Sequence, residues 1–182
     1  MIERYYFDLI IENGDKVLIS KAYRLIHGIF SGMGEHRPQV GLAFPYWQPG
    51  LQEDFLSMGD TIRIVGEKHE VNRLFKHTEI NNLCENPGFF TTAILEVPAT
   101  AKEVIYKRNR IIERKWANSK NPTVDKKYAK MPEVLFPFIA LSSVSSKQNY
   151  RLTVEEIPAE KRVDGPFTTY GLSSGGTTVP KF

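Results

Sequence analysis

Four histidines (His27, His36, His69, His77), one cysteine (Cys84) and a run of serines are the side chains here best suited to moving protons or attacking a substrate. No histidine stands at zinc-site spacing from a carboxylate or a second histidine, which argues against a catalytic zinc. A lone cysteine allows neither an intrachain disulfide nor a thiolate cluster. A P-loop, a Gly-x-Ser-x-Gly elbow and a dinucleotide fingerprint are all missing. Asp60, Glu67 and Glu70 come nearest to a two-metal carboxylate set, and exposed loop and helix charges explain them more simply. A different chemistry is compatible with these residues. RNA can be cut without a metal, because its own 2′-hydroxyl attacks the adjacent phosphate once a base removes the proton. A histidine titrating near neutrality can be that base, an effect worth roughly 10²–10⁴-fold. Hydroxyl groups that hold the ribose or orient the imidazole supply positioning, the other large contribution. The ingredients present are His27, the cluster Ser142, Ser143, Ser145 and Ser146, and Tyr170 just before a glycine-rich turn.

A helix must carry the first of these. From Lys16 to Phe30, residues Leu18, Ile19, Ala22, Tyr23, Leu25, Ile26, Ile29 and Phe30 fall on one arc of about 160° at 100° per residue. His27 lies just past the edge of that arc, beside Ser20 and Ser31, where an imidazole is partly desolvated yet reachable. Around this helix, alternation predicts strands over Arg4–Ile11, Gln39–Phe44, Thr61–Val65 and Thr91–Val97, and a second helix from Lys68 to about Ile80. The order β-α-β-β-α-β is the ferredoxin-like arrangement. The aromatic signature of a plain RNA-recognition motif is missing from its inner strands.

Pro98 to Thr100 marks a boundary, giving an α+β protein with domains 1–98 and 99–182. The second half begins extended at Val104 and becomes helical over Ile111–Lys120, with an interruption at Asn121 and Pro122. An apolar strand, Val134–Leu141, exits through the serines and pairs with a strand starting at Tyr150. Phe167–Leu172 reads as a closing strand, entered through Gly165 and Pro166 and broken by SSGG (173–176). Unobstructed amides in such a turn can cradle a phosphate, although an ordinary hairpin turn is the plainer reading.

Composition is that of an ordinary soluble protein, with 41% hydrophobic and 25% charged residues. No apolar run reaches the ~20 residues needed to cross a bilayer. The N-terminal run is too short and acid-interrupted for a signal peptide, so a cytoplasmic location is expected. Charge is unevenly spread. Ala101–Lys130 holds 10 basic residues against 3 acids, a local +7 that leaves −4 on the rest of a chain whose net charge is +3. A basic segment on a mildly acidic body points to a polyanionic partner.

Five pieces in order resemble the RNA-processing endonucleases of subtype I-F CRISPR systems, the Csy-type, Cas-six f family. LIHGI (25–29) with VGLAFP (40–45) is similar to that family's catalytic-histidine helix and following strand. YKRNR (106–110) sits where the family reads the base of its RNA hairpin, and the basic stretch after it resembles the groove-binding helix. FPFIALSSVS (136–145) with NYRL (149–152) resembles the catalytic-serine strand pair. YGLSSGG (170–176) followed by VPKF (179–182) resembles the family's closing stretch.

The resemblance implies a metal-independent endoribonuclease needing no cofactor. It would bind the CRISPR repeat hairpin of pre-crRNA, cut 3′ of it to leave a 2′,3′-cyclic phosphate, and stay on the mature crRNA among the other subunits of a type I-F interference complex, with no membrane partner. His27 would be the general base and Ser143 the holder of the ribose, with Ser145 as the alternative if the register slips by two. Tyr170 would orient His27. Lys107, Arg108, Arg110, Arg114 and Lys115 would contact RNA, and Tyr150 would stack on the terminal base pair. Two departures stand out. Arg110 replaces a glutamine, which favours guanine over adenine at the contacted base. The basic helix is also lysine-diluted and interrupted by Pro122, which implies weaker or more salt-dependent docking. Two alternatives remain: a hairpin-binding subunit that no longer cleaves, and a ferredoxin-like scaffold whose basic segment binds protein or any nucleic acid.

Overall fold

Strand β1 (Tyr5–Ile11) buries Phe7, Leu9 and Ile11 completely, while the alternate residues face the sheet's other side. The computed structural model describes residues 3–33, 38–50, 57–120, 135–142 and 149–182. After β1, Asn13 takes a positive φ of 56°, and the Asp15 carboxylate accepts from the amides of Val17 and Leu18. That side-chain cap satisfies orphan donors and starts helix α1 (Lys16–Ser31). Strands β2 (Gly41–Ala43) and β3 (Thr61–Gly66) follow.

The predicted second helix is two, α2 (Lys68–Phe75) and α3 (Thr78–Cys84). The apolar spacing explains the break. Ile80 would lie about 180° from Val71 on one continuous helix, yet Val71, Leu74, Ile80 and Leu83 are all buried. Restarting at His77, whose Nδ1 accepts from the Glu79 amide at 3.3 Å, resets the phase.

The predicted fourth strand is also two pieces, β4 (Phe89–Thr91) and β5 (Leu95–Glu96), both paired with β1. Leu9 faces Thr91 but Tyr6 faces Leu95, so one residue is extra on the partner side and the edge bulges. The first sheet runs β2-β3-β1-β4 with every pairing antiparallel, as a βαββαβ unit requires.

The second sheet runs β7-β8-β6-β9, also antiparallel, from β6 (Lys102–Arg108), β7 (Phe138–Ser142), β8 (Asn149–Ala159) and β9 (Val179–Lys181). Helix α4 (Arg110–Lys120) lies between β6 and β7 in the chain and is capped by Asn109, whose Oδ1 accepts from the Ile112 amide at 3.0 Å. The fold class is α+β, as expected. The closing strand is corrected: Phe167–Leu172 makes a single bridge, Phe167 to Ser173, and the strand is β9 instead. Its β-favouring residues are used in a tight turn, because the chain reverses at Gly171 with a φ of 68°.

One apolar cluster joins the sheets, running from Phe7, Phe30 and Phe44 to Tyr106, Leu152 and Val179. Trp47 Nε1 donates to the Val154 carbonyl at 3.0 Å across the seam. Among the described residues no helix is long and apolar enough to cross a membrane.

Candidate active site

Ile19, Ala22, Tyr23, Ile26 and Phe30 form the buried stripe of α1, and His27 sits half-exposed at its margin. The helix's own packing therefore aims the imidazole at the seam. There Nδ1 lies 2.8 Å from the carbonyl oxygen of Thr169. A carbonyl can only accept, so Nδ1 carries the hydrogen and the neutral ring keeps its lone pair on Nε2. Ser31 Oγ stands 3.4 Å from the same Nδ1, too long to compete with the carbonyl. The geometry thus selects the tautomer with the hydrogen on Nδ1 and the lone pair on Nε2.

Thr169 is held by the turn it belongs to. The Gly171 amide donates to the Thr168 carbonyl at 2.8 Å, and the Gly171 carbonyl accepts from the Leu42 amide on β2, also at 2.8 Å. A Cβ on residue 171 would stand 2.4 Å from Leu42 Cγ, so close packing and backbone conformation both demand glycine there. Tyr170 occupies the apex. Its ring lies on the His27 ring with centroids 4.2 Å apart and planes 9° from parallel. Its carbonyl accepts from the Tyr23 hydroxyl at 2.7 Å, and its own hydroxyl is 3.2 Å from that of Tyr150. The helical period assigns Tyr23 to the core and nothing more. Its hydroxyl contact crosses 147 residues of sequence, which no local pattern signals.

Arg108 completes the cluster. Its Cζ is 5.5 Å from the Tyr150 ring centre and 5.7 Å from that of Tyr170. The Glu113 carboxylate grips it, with Nε at 2.9 Å and Nη2 at 2.8 Å, and those bonds raise its pKa. Burial, then the hydrogen bond to Tyr170, pushes the Tyr150 hydroxyl up to about 12, so it is a neutral hydrogen-bonding group at physiological pH. Tyr106, the first residue of YKRNR (106–110), faces the core instead: its hydroxyl is 2.9 Å from the Phe44 carbonyl and 2.6 Å from Glu156 Oε2.

The other expected RNA contacts are outward. Lys107, Arg110, Arg114 and Lys115 are exposed at the end of β6 and along α4, and Lys107 Nζ is 3.5 Å from Glu155. Of the glycine-rich turn, two amides already have partners: Ser173 donates to the Tyr106 carbonyl and Ser174 to Thr177 Oγ1. Ser143 and Ser145 lie outside the described residues, as does Pro122; β7 is described as far as Ser142. His27, Tyr170, Tyr150 and Arg108 are therefore brought together, and the serine's place among them stays an expectation.

Fold and site together define an α+β protein with a cluster of His27, Tyr170, Tyr150 and Arg108 at the seam of two antiparallel sheets and a basic helix beside it. The chain belongs to the CRISPR-associated protein (Cas_Csy4) family, whose model matches residues 8–182. It is 24% identical over 175 residues to the CRISPR-associated endonuclease Cas6/Csy4 of Pseudomonas aeruginosa (strain UCBPP-PA14), covering 91% of this chain and 90% of that protein.

Proposed function

We propose that this protein is a CRISPR-RNA-processing endoribonuclease and that His27 Nε2 is its general base. Family membership and the named endonuclease relative support the class of activity. The observation that carries the mechanism is the Thr169 carbonyl on Nδ1, which leaves Nε2 as the proton acceptor. In the reaction, Nε2 takes the proton of the 2′-hydroxyl next to the cut. The 2′-oxygen then bonds to phosphorus while the bond from phosphorus to the 5′-oxygen breaks. The departing 5′-oxygen takes a proton from solvent water and the imidazolium returns its proton to solvent, leaving a 2′,3′-cyclic phosphate and a 5′-hydroxyl. No metal enters these steps. Tyr170 keeps the imidazole parallel to its own ring and limits its rotation, and Ser143 (Ser145 in the slipped register) holds the ribose. Lys107, Arg110, Arg114 and Lys115 face the repeat hairpin's phosphates and bases, with Tyr150 and Arg108 nearer the cut. The division at 98/99 makes the first unit the carrier of the base and the second the hairpin holder. Retention of the cut crRNA and assembly with other type I-F subunits, in the cytoplasm, follow from the same reading.

The test is cleavage of repeat RNA by purified protein in excess EDTA. Cutting should persist and should stop with a single 2′-deoxy substitution just upstream of the cut, whereas EDTA-sensitive cutting refutes the mechanism. His27→Ala should abolish cutting with hairpin affinity kept. If wild type and variant both bind the hairpin tightly and neither cuts, the protein is a non-cleaving hairpin-binding subunit.

A further inference from the structure

Helix α4 carries Arg110, Arg114, Lys115 and Lys120, and a single acid, Glu113. On electrostatic grounds that carboxylate is a liability, since it weakens the field of a helix that would meet phosphates. Its side chain, however, is turned inward and only 14% exposed. Oε1 accepts from Arg108 Nε at 2.9 Å and from the Thr153 amide at 2.8 Å, and Oε2 accepts from Arg108 Nη2 at 2.8 Å. One carboxylate thus ties α4 to β6 and to β8. The partners are five residues apart across a strand–helix junction, so this is not a helix-surface ion pair of the i,i+4 kind. The grip sets where the guanidinium lies, beside the rings of Tyr150 and Tyr170. Those two hydroxyls meet at 3.2 Å, and Tyr170 lies flat on His27. Contacts therefore run unbroken from the basic helix to the imidazole.

We propose that Glu113 is a positioning residue for His27: by holding Arg108 against the Tyr150–Tyr170 pair, it fixes the stacked ring that sets the base in place. The proposal rests on the reading of His27 as the RNA-cleaving base. Without the carboxylate, the guanidinium is free to turn toward an RNA phosphate, and Tyr170 loses the packing on its Arg108 side. The same tie couples the seat of the RNA on α4 to the position of the base, which explains an acid in the middle of a basic helix.

Two effects of Glu113→Gln run in opposite directions, which makes the test decisive. Removing an acid from α4 should leave affinity for a non-cleavable 2′-deoxy hairpin unchanged or tighter. The single-turnover cleavage rate at saturating protein should fall roughly 10–100-fold, the scale of a modest misplacement of a catalytic group. Arg108→Lys, which cannot make the paired contact, should lose at least as much rate. The double variant should be no slower than Arg108→Lys alone, because Glu113 acts through Arg108. The His27 imidazole proton resonances should lose the ring-current shift imposed by Tyr170. A Glu113→Gln protein that cuts at the wild-type rate with those resonances unmoved overturns the proposal, as does a loss of affinity that matches the loss of rate. If Glu113→Gln does not fold, Glu113→Asp, which keeps the charge but shortens the reach to Arg108, carries the test through the same rate, affinity and imidazole readouts. If wild type does not cut at all, the cleavage reading fails, and the imidazole resonances by themselves decide whether Glu113 positions the ring.

Discussion

Replacing Gly171 by alanine tests whether the Thr168–Leu172 turn is what holds the imidazole. Two costs arise. A residue with a side chain in left-handed backbone costs about 1–2 kcal/mol, and φ here is 68°. The new methyl would also stand 2.4 Å from Leu42 Cγ, 2.8 Å from Leu42 Cδ1 and 3.0 Å from Phe30 Cε2. Overpacking of that kind adds about 1–3 kcal/mol, for a total near 2–5 kcal/mol. Gly175 separates the two costs. Its φ of 70° is nearly the same, but a Cβ added there would meet nothing within 4 Å. Gly175→Ala should therefore cost only about 1–2 kcal/mol. Urea unfolding of both variants at 25 °C measures the difference.

Activity should separate them further. Leu42 and Phe30 are fully buried and cannot retreat, so the turn must move. That movement breaks the Gly171–Leu42 bond and withdraws the Thr169 carbonyl from His27 Nδ1. Cleavage by Gly171→Ala should then fall by a large part of the roughly 10²–10⁴-fold that the base supplies, while Gly175→Ala cuts like wild type. Equal stabilities and equal rates in the two variants would refute the claim that this turn positions the base.

Three further outcomes follow from the same geometry. Asp8→Asn takes from the Arg63 guanidinium the carboxylate that now grips it at 2.7 and 2.9 Å, leaving it the Phe182 main-chain oxygen at 3.0 Å and the Tyr6 and Phe182 rings. Unfolding free energy should drop by about 3–5 kcal/mol in denaturant titration, and a change under ~1 kcal/mol would contradict the burial argument. Gly28→Ala, in the last turn of α1 with nothing beyond that helix's own backbone within 4 Å of the added methyl, should stabilise by about 0.5–1 kcal/mol; a lower thermal midpoint would count against it. Burial raises the pKa of Tyr23, and burial followed by the Glu156 hydrogen bond raises that of Tyr106. Because the folded values lie above the unfolded value of about 10, this stability is complete below that pH and is lost as pH climbs through the raised values. The thermal midpoint should fall above pH ~10, with Tyr23 and Tyr106 ionising above the ordinary tyrosine range in an absorbance titration.

Local spacing is enough for much of this. The amphipathic period of residues 16–30 yields both α1 and the marginal position of His27, since helix geometry is set by sequence neighbours alone. Alternation locates β1, β3 and β8, and the charge excess marks α4. Where local pattern misleads, a longer-range demand has overridden it. Residues 68–80 look like one helix until the burial of Ile80 and Leu83 forces a second phase. The aromatic and threonine content of 167–172 reads as strand, yet the turn is dictated by its seat against Leu42 and Phe30.

The residue types and their spacing therefore determined that His27 sits at a helix margin and that a basic segment accompanies it. Only the tertiary structure decided which His27 nitrogen carries the hydrogen, that Arg108 is tied to Glu113, and that Tyr23, Tyr150 and Tyr170 share one cluster. Each of those depends on a hydrogen bond or ring contact between distant segments. Such contacts exist only once the two sheets have closed on a common core, and nothing in the spacing of near neighbours encodes them.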